Sequence, residues 1–472
     1  MTSAPTSATE QAWAALGGDP ALLGRIGTSG PAGLLPSRLP VRELAHAAVA
    51  VCSLAAAELA ARRTGGPVPR VPIDDGAVAT AFVSERHLRV DGRAPTNFAP
   101  LSRFWRTADG WVRTHANYPH HRARLLGTLG LSADTADDVA VDAAAASFAG
   151  RRGSEIEETV YAAGGLAVAA RTPGEWAADP RRLALRDVPL VERERIDAAP
   201  VRRTVPLTGT PLRPAAGLRV LDLSRVLAGP VATRTLALLG ADVLRIDAPQ
   251  LPESQDAHSD TGFGKRSVSI DLTSDAGLGV FDELLAGADV VVTGYRPGAL
   301  ERLGLTPESL ASRRPGLVIG RLSAWGHGPW DRRRGFDSLV QVATGIAVAE
   351  TEPGAEGPPG ALPAQALDHG TGYLLAGAVL RALTEQHDEG GSRLATLSLA
   401  RTAAWLTDEI PAPPDQAAQD GTYDPEKWLT ETGSPLGRLR HALPPVAFDG
   451  APAGWSRPPG RLGADAAAWL TA

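Results

Sequence analysis

Apolar and polar positions in the second half of the chain follow two alternating patterns. Short, mostly apolar runs bounded by Gly, Asp or Pro are typical of buried strands, whereas longer stretches between them have helical spacing. Because apolar strands alternate with helices, the pattern predicts a mostly parallel sheet with helices on both faces. The strand candidates are residues 218–223, 241–247, 267–272, 289–294 and 317–323, and the helix candidates lie near 232–239, 276–285 and 307–313.

The predicted sheet also indicates where a ligand binds. In doubly wound sheets, ligands lie beyond the carboxyl ends of the strands. The segments that follow four of the predicted strands are therefore the first places to look for functional residues. They are residues 224–229, 248–265, 295–298 and 324–337.

The first half of the chain has a different organisation. An Ala-rich pattern predicts one helix over residues 40–63, ended by Gly65 and Gly66, and a turn at Asp109-Gly110 is placed between two short strands. We divide the chain accordingly into an irregular segment (1–39), a helix-containing degenerate repeat (40–96), a small α+β domain (97–195), a proline-containing linker (196–216), a catalytic α/β domain (217–410) and a C-terminal tail that returns to it (411–472).

An internal repeat is suggested by two Ala-rich stretches. The sequence from Pro40 aligns with that from Pro363, so that His46 lies opposite His369. At the position of Asp368 the first stretch has Ala45, so only the second copy retains a carboxylate. Two Ala-rich helices also match by chance, and the sequence leaves both interpretations open.

Composition and charge exclude several classes of protein. The 472 residues carry a net charge of −6, which does not suggest a nucleic-acid-binding protein. Cys52 is the only cysteine, so an intrachain disulfide is excluded, and the first residues do not resemble a signal peptide. The longest apolar stretch, residues 46–58, is too short to span a bilayer. We therefore expect a cytoplasmic protein with neither nucleic-acid nor membrane partners.

Six motifs follow one another between residues 218 and 383: LRVLDLSRVLAGP, LGADVLRIDAP, GKRSVSIDL, TGYRPGALERLGL, GHGPWDRRRGFDSLVQ and ALDHGTGYLLAGAVLRAL. Together and in this order they resemble the class III CoA-transferases, a family that includes formyl-CoA and carnitine CoA-transferases and acyl-CoA racemases. The resemblance implies a CoA-binding α/β domain, acyl-CoA and a carboxylic acid as substrates, and a possible homodimer. The family's smaller domain is placed N-terminally here, at residues 97–195.

Asp368 matches the catalytic aspartate of that family. Aspartate before an apolar helix is also a good N-cap, and the sequence allows both roles. A helix N-terminus stabilises an ionised carboxylate, which is the form that attacks a thioester. The resemblance implies an aspartyl anhydride followed by an aspartyl-CoA thioester. Gly370 and Gly372 are candidates for bringing backbone N–H groups close to the oxyanion.

The resemblance also implies the residues that bind CoA. A nicotinamide cofactor is the competing interpretation of the first turn, but that turn lacks the G-x-G-x-x-G pattern. Arginines are suited to the phosphates of CoA, although a charge run such as residues 332–334 is often only a solvated face. The predicted CoA-binding residues are Arg225, Ala228, Arg245, Lys265, Tyr295, Arg296, Arg302 and Arg334.

Phe336 helps to choose between reactions within the family. The racemase branch has a histidine there, which serves as a base, so phenylalanine favours CoA transfer. An isomerase that uses His369 instead, and a non-catalytic CoA-binding protein, remain as alternatives. His115, His120 and His121 lack an acid or cysteine nearby to complete a zinc site, and we predict neither a metal nor a redox cofactor.

Overall fold

The structure is a computed structural model that describes residues 6–31, 33–411 and 423–470. The strands are β1 (Ile26–Ser29), β2 (Val71–Asp74), β3 (Arg89–Val90), β4 (Phe104–Thr107), β5 (Gly110–Thr114), β6 (Ala167–Ala169), β7 (Glu192–Arg195), β8 (Arg219–Leu223), β9 (Asp242–Asp247), β10 (Lys265–Ser269), β11 (Val290–Thr293), β12 (Val318–Ser323), β13 (Arg393–Ser398), β14 (Leu429–Ser434) and β15 (Gly437–Ala442).

The helices, in the same order along the chain, are α1 (Ala8–Ala15), α2 (Val41–Thr64), α3 (Asp75–Ala81), α4 (Ser84–His87), α5 (Pro119–Thr128), α6 (Asp137–Ala149), α7 (Gly153–Ala162), α8 (Pro173–Ala177), α9 (Pro180–Leu183), α10 (Ala228–Leu238), α11 (Gln255–Thr261), α12 (Asp275–Ala286), α13 (Pro307–Arg313), α14 (Asp337–Ala343), α15 (Ile346–Ala349), α16 (Ala366–Glu389) and α17 (Leu399–Ala404).

The largest sheet has seven strands in the order β10-β9-β8-β11-β12-β13-β7. All neighbouring strands are parallel except β7, which runs antiparallel to β13. The predicted mixed α/β fold with a mostly parallel sheet is therefore confirmed. Its central strands are buried on both faces because helices cover both sides, and β11 is buried at every position. The strand order reverses between β8 and β11, which is where such sheets bind ligands.

The first 39 residues contain more regular structure than the sequence suggested. Helix α1 begins with a capping box formed by Ser7 and Glu10, and Trp13 anchors it in the core. Strand β1 pairs in parallel with β2, which lies more than forty residues later in the chain. The prediction of an irregular segment was wrong because this order depends on distant partners.

Helices α2 and α16 are each 24 residues long and pack against each other. Helix α2 ends, as predicted, just before Gly65, whose φ of 71° a side chain would strain. The apolar stretch at residues 46–58 was predicted to be too short to span a bilayer, but the whole of α2 is long and apolar enough to do so; 94% of its apolar window is buried inside the protein. The chain's own core therefore covers this apolar helix.

A three-stranded antiparallel sheet, β4-β5-β6, forms a small unit with α5, α6 and α7. The turn predicted at Asp109-Gly110 joins β4 to β5. Strand β7 falls within the predicted small domain (97–195), yet it pairs with β13 of the large sheet. This edge strand therefore belongs to the large sheet.

The C-terminal tail contacts two parts of the protein. Strands β14 and β15 form a hairpin that extends a sheet through β3, near the N-terminal unit. Further on, the Asp465 carboxylate accepts the Ser267 N–H at 2.8 Å, beside β10. The part of the predicted tail at residues 412–422 lies outside the described residues.

Candidate active site

One cavity of about 490 Å³ lies at the carboxyl ends of the large sheet, beneath α5 of the small unit. Seven of the nine residues predicted for the site line it: Asp368, Arg225, Ala228, Tyr295, Arg296, Arg302 and Arg334. They come from three loops, which follow β8, β11 and β12, and from the starts of α10 and α16, and the fold brings them together at the reversal of strand order. The sequence did not single out Val226, Leu322 or Leu399, which also form the wall.

Asp368 lies in the first turn of α16 instead of at its N-cap position, which Gln365 occupies. Its side chain is buried, and the backbone N–H of Ala228, at the start of α10, donates to the carboxylate. The N-terminus of α10 thus binds the Asp368 side chain of α16. The N-cap interpretation of Asp368 is corrected by this geometry.

Asp337, the first residue of α14, caps α16 from outside that helix. Its carboxylate accepts the Asp368 N–H at 2.9 Å, and the Leu367 N–H also donates to it. Gln341 donates to the other Asp337 oxygen and accepts the Leu362 N–H at 3.0 Å. Because the N-cap Gln365 makes no side-chain cap of its own, Asp337 supplies the acceptor that the helix start requires.

Burial controls the charge of this carboxyl pair. It raises the pKa of Asp337 to about 6, against the hydrogen bonds that it accepts. The pKa of Asp368 lies well above its usual range, because of burial first and then the charges of Asp337 and Glu85; the Ala228 N–H acts in the opposite direction. A helix N-terminus was expected to stabilise the ionised form of Asp368. Burial and the neighbouring negative charges outweigh that effect, so the Asp368 carboxyl binds its proton more tightly than an exposed aspartate does.

Gly370 and Gly372 do not present free N–H groups to the cavity, because both lie inside α16, whose helical ladder uses those groups. They permit close packing instead. A Cβ at Gly372 would come within 2.6 Å of the Ala228 carbonyl oxygen, and one at Gly370 would meet the end of the Leu44 side chain at 2.6 Å. The oxyanion role predicted for the two glycines is corrected.

Six arginines line the cavity; Arg225 and Arg333 are paired with Glu253 and Glu158, and the other four form a separate cluster. Arg296, Arg302 and Arg334 were predicted, and Arg124 of α5 joins them. Among the residues that the structure describes, none of the four forms an ion pair with an acid. Burial and repulsion by the other three lower the pKa of Arg334. Such a cluster favours a ligand with several negative charges.

The loop after β8 is held in a strained conformation by Glu253. Val226 has a φ of 69°, which is rare for a β-branched residue, and its N–H donates to Glu253 at 3.2 Å. Tyr118 of the small unit donates to the same carboxylate at 2.7 Å, and Arg225 contacts it at 3.4 Å. Glu253 therefore joins the small unit to the loop that shapes the cavity.

Arg245 and Lys265, the other two predicted CoA-binding residues, do not line the cavity. Each is 1% exposed. Arg245 forms an ion pair with Asp247 at 2.8 Å, and Lys265 one with Asp222 at 3.0 Å. The prediction is corrected for both residues, because their charges are already neutralised within the sheet.

The histidines fall into two groups. His369 is fully buried, contacts Glu85 at 3.2 Å and stacks on Phe82, so it points away from the cavity. His115 stacks on Phe336 with ring centroids 3.8 Å apart, and His121 lies at the cavity wall. Over the described ranges, no set of three or more His, Cys, Asp or Glu side chains is arranged to hold a metal ion.

Comparison with known proteins shows what part of the chain is similar to. Residues 215–413 match the model for "CoA-transferase family III". The probable fatty acyl-CoA transferase Rv3272 of Mycobacterium tuberculosis is 35% identical over 42% of this chain and 54% of its own. Formyl-CoA:oxalate CoA-transferase of Streptomyces coelicolor is 33% identical over 37% of this chain and 45% of its own.

A solved structure shows the same partial coverage. The crystal structure of Rv3272 from Mycobacterium tuberculosis, orthorhombic form, aligns with a TM-score of 0.38 at 35% identity, over 42% of this chain and 56% of that one. The chain thus spans about half the length of the curated relatives it matches. The family resemblance inferred from the motifs is confirmed over the matched region.

Proposed function

We propose that the protein transfers CoA from an acyl-CoA thioester to a carboxylic acid, since residues 215–413 match the model for CoA-transferase family III. The observation that carries the proposal is one cavity that contains both an arginine cluster without acid partners and the buried Asp368 carboxyl. The cluster suits a polyanion, and the carboxyl suits a covalent nucleophile. Relatives named as CoA-transferases are consistent with this reaction.

CoA carries its phosphates at one end and its thiol at the other, so one molecule could contact both the arginine cluster and Asp368 in this cavity. In the proposal Arg124, Arg296, Arg302 and Arg334 bind the phosphates, and Tyr295 lies on the adenine. Arg225 and Ala228 lie along the arm that leads to Asp368. The proposed ligand is a substrate; no prosthetic group is part of the proposed reaction.

The proposed reaction has balanced covalent steps. The ionised Asp368 attacks the thioester carbonyl, which forms a mixed anhydride and releases the CoA thiolate. The thiolate attacks the Asp368 carbonyl of the anhydride, which gives an aspartyl-CoA thioester and frees the donor carboxylate. The acceptor carboxylate then attacks this thioester to form a second anhydride, and the CoA thiolate returns to the acceptor acyl carbon, so that Asp368 is regenerated.

The same observations favour transfer over isomerisation at the acyl α-carbon. Two-base chemistry requires a second base at the cavity, yet Phe336 occupies the position of the racemase histidine and His369 contacts Glu85 instead. His120 and His121 do line the cavity, but burial lowers the pKa of both, which makes them weak bases. A protein that only binds CoA would not need a buried carboxyl with a raised pKa at the cavity, so Asp368 also disfavours the non-catalytic alternative. We propose a cytoplasmic location for the reaction.

Hydroxylamine trapping tests the proposal directly. After incubation with a panel of acyl-CoAs, hydroxylamine converts an activated aspartyl group to a hydroxamate, which peptide mass spectrometry locates. We expect a hydroxamate on Asp368 only when acyl-CoA is present. Asp368→Asn should lose the hydroxamate and reduce turnover by about 10³-fold or more.

Asp271→Asn is the matched control, because Asp271 also lines the cavity but is not deeply buried. That variant should keep the hydroxamate on Asp368. A hydroxamate on another residue, or undiminished turnover in Asp368→Asn, would contradict the assignment of the nucleophile.

A further inference from the structure

His121 is a residue of the small unit that lies at the cavity wall. It is in the first turn of α5, and its side chain is 3% exposed. Its ring centroid lies 6.0 Å from that of Phe336, which immediately precedes the residue that caps the Asp368 helix. On its other side are the rings of His120 and Tyr118. His121 therefore lines the same cavity as Asp368 but belongs to the small unit.

The His121 ring has no hydrogen-bond partner within the described residues. Both Nδ1 and Nε2 are buried and unpaired. Burial lowers the pKa of His121 to about 2, helped by repulsion from His120, His115, Arg334 and Arg225. The ring is therefore neutral at physiological pH, with one N–H donor and one acceptor nitrogen. Buried polar groups without partners cost stability, and they are rare in folded proteins.

The position of His121 relates it to a particular part of the proposed ligand. Arg334 of the phosphate-binding cluster and Arg225 are among the charges that act on its ring. Phe336 connects it to the end where Asp368 lies. When the phosphates of CoA bind at the arginines and the thioester lies at Asp368, the arm between them contains carbonyl groups, namely two pantetheine amides and the thioester.

We propose that His121 is a substrate-binding residue that the small unit contributes, with its ring N–H donating to a carbonyl oxygen of the bound acyl-CoA. The inference rests on the proposed function, since it takes acyl-CoA as the ligand. It assigns the small unit a direct part in binding the substrate, in addition to the Tyr118–Glu253 contact. The carbonyl belongs either to a pantetheine amide, which free CoA also has, or to the thioester, which free CoA lacks.

His121→Phe separates a binding role from a structural one. The substitution removes two unpaired buried nitrogens, so the free protein should have an unchanged or higher Tm. Binding of acetyl-CoA, measured by isothermal titration calorimetry, should weaken by about five- to tenfold because one hydrogen bond is lost. His121→Gln, which retains a donor, should recover part of the affinity.

Titration with free CoA distinguishes the two carbonyl sources. Equal weakening for CoA and acetyl-CoA assigns the hydrogen bond to a pantetheine amide, whereas weakening for acetyl-CoA alone assigns it to the thioester. Unchanged binding of both ligands would overturn the proposal. A lower Tm in both His121→Phe and His121→Gln would also overturn it, because it would show a structural role.

His115→Phe is the matched control. His115 is also buried, with a pKa lowered to about 3 and an unpaired Nδ1, and it stacks on Phe336, but it does not line the cavity. Its replacement should leave both affinities unchanged. These binding measurements need no turnover, so they are independent of the hydroxamate result on which the proposed function depends.

Discussion

At the scale of single residues, the chemistry of Asp368 is set by its immediate neighbours. The Ala228 N–H favours the ionised form, while burial, Asp337 and Glu85 favour the protonated form. Asp337 has two effects, because it caps the helix that carries Asp368 and also places a negative charge beside it. The two effects are separable, since an amide oxygen accepts a hydrogen bond without carrying a charge.

Asp337→Asn tests this balance through the pH dependence of acylation. Removal of a negative charge makes Asp368 easier to ionise, so its pKa falls and the acidic limb of the acylation rate shifts to lower pH. The rate of hydroxamate formation on Asp368, measured between pH 4 and pH 8, checks the shift. Asp271→Asn removes a more exposed cavity carboxylate and should leave the acidic limb of the acylation rate unchanged. If Asp337→Asn also left this limb unchanged, Asp337 would act only as a helix cap and would not affect the charge of Asp368.

At the scale of elements, the contact between α10 and α16 aligns the reactive group. Gly372 has no side chain, so the Ala228 backbone at the start of α10 can pack directly against α16. This close approach allows the Ala228 N–H to reach the Asp368 carboxylate. Gly370, two residues earlier, faces the flexible end of Leu44 on α2. The same helix therefore has one glycine against a rigid backbone carbonyl and one against a movable side chain.

Gly372→Ala and Gly370→Ala should differ in both stability and activity. Alanine gains about 1 kcal/mol of helix propensity at either site. At Gly372 overpacking against the carbonyl should outweigh this gain, for a net loss of about 1–2 kcal/mol and a lower hydroxamate yield. At Gly370 the neighbouring Leu44 moves, so stability should be unchanged or higher. Urea denaturation measures both variants, and equal effects would contradict the packing argument.

At the scale of the whole molecule, the N-terminal segment forms part of the core of the α/β unit. Helix α2 contacts α16 along its length, and Glu58 forms a buried ion pair with Arg381 at 2.5 Å. Each of the two helices is followed by a strand that pairs in parallel with an earlier one. This shared architecture agrees with the internal repeat suggested by sequence, and Ala45 in place of Asp368 leaves a single nucleophile. The possible homodimer stays a prediction.

Glu58→Ala should therefore destabilise the entire protein. Loss of Glu58 leaves the buried Arg381 with only its longer ion pair to Glu385, at 3.3 Å, so we expect a cost of about 3 kcal/mol, the low end for a broken buried pair. Because α2 and α16 share one core, we expect a single unfolding transition at a lower Tm by scanning calorimetry. Glu431→Ala breaks an exposed pair with Arg438 and should cost less than about 1 kcal/mol. A separate early transition in Glu58→Ala would show that the N-terminal unit unfolds alone.

The sequence alone determined the features that depend on neighbouring residues. Apolar runs predicted five strands of the large sheet, with ends that differ from those in the structure by up to three residues, because burial on both faces requires such runs. Helix α2 was predictable from its alanine pattern and from Gly65. The short motifs were enough to identify the family and the segments at the carboxyl ends of the strands. Strands β7 and β13 were missed, because charged or mixed sequences there form strands only through distant partners: β13 pairs with β12, and β7 pairs with β13.

Only the tertiary structure decided what each charged or polar group does. Lys265 resembled a ligand-binding residue until its partner, Asp222, was found 43 positions away. Asp337 contacts the backbone of Asp368 across 31 positions, and Glu85 reaches His369 across 284. The lack of hydrogen-bond partners for the His121 ring likewise depends on which side chains the fold packs around it. A charge or a hydrogen bond is set by partners that folding brings close, and the distance between those partners along the chain leaves no local pattern in the sequence.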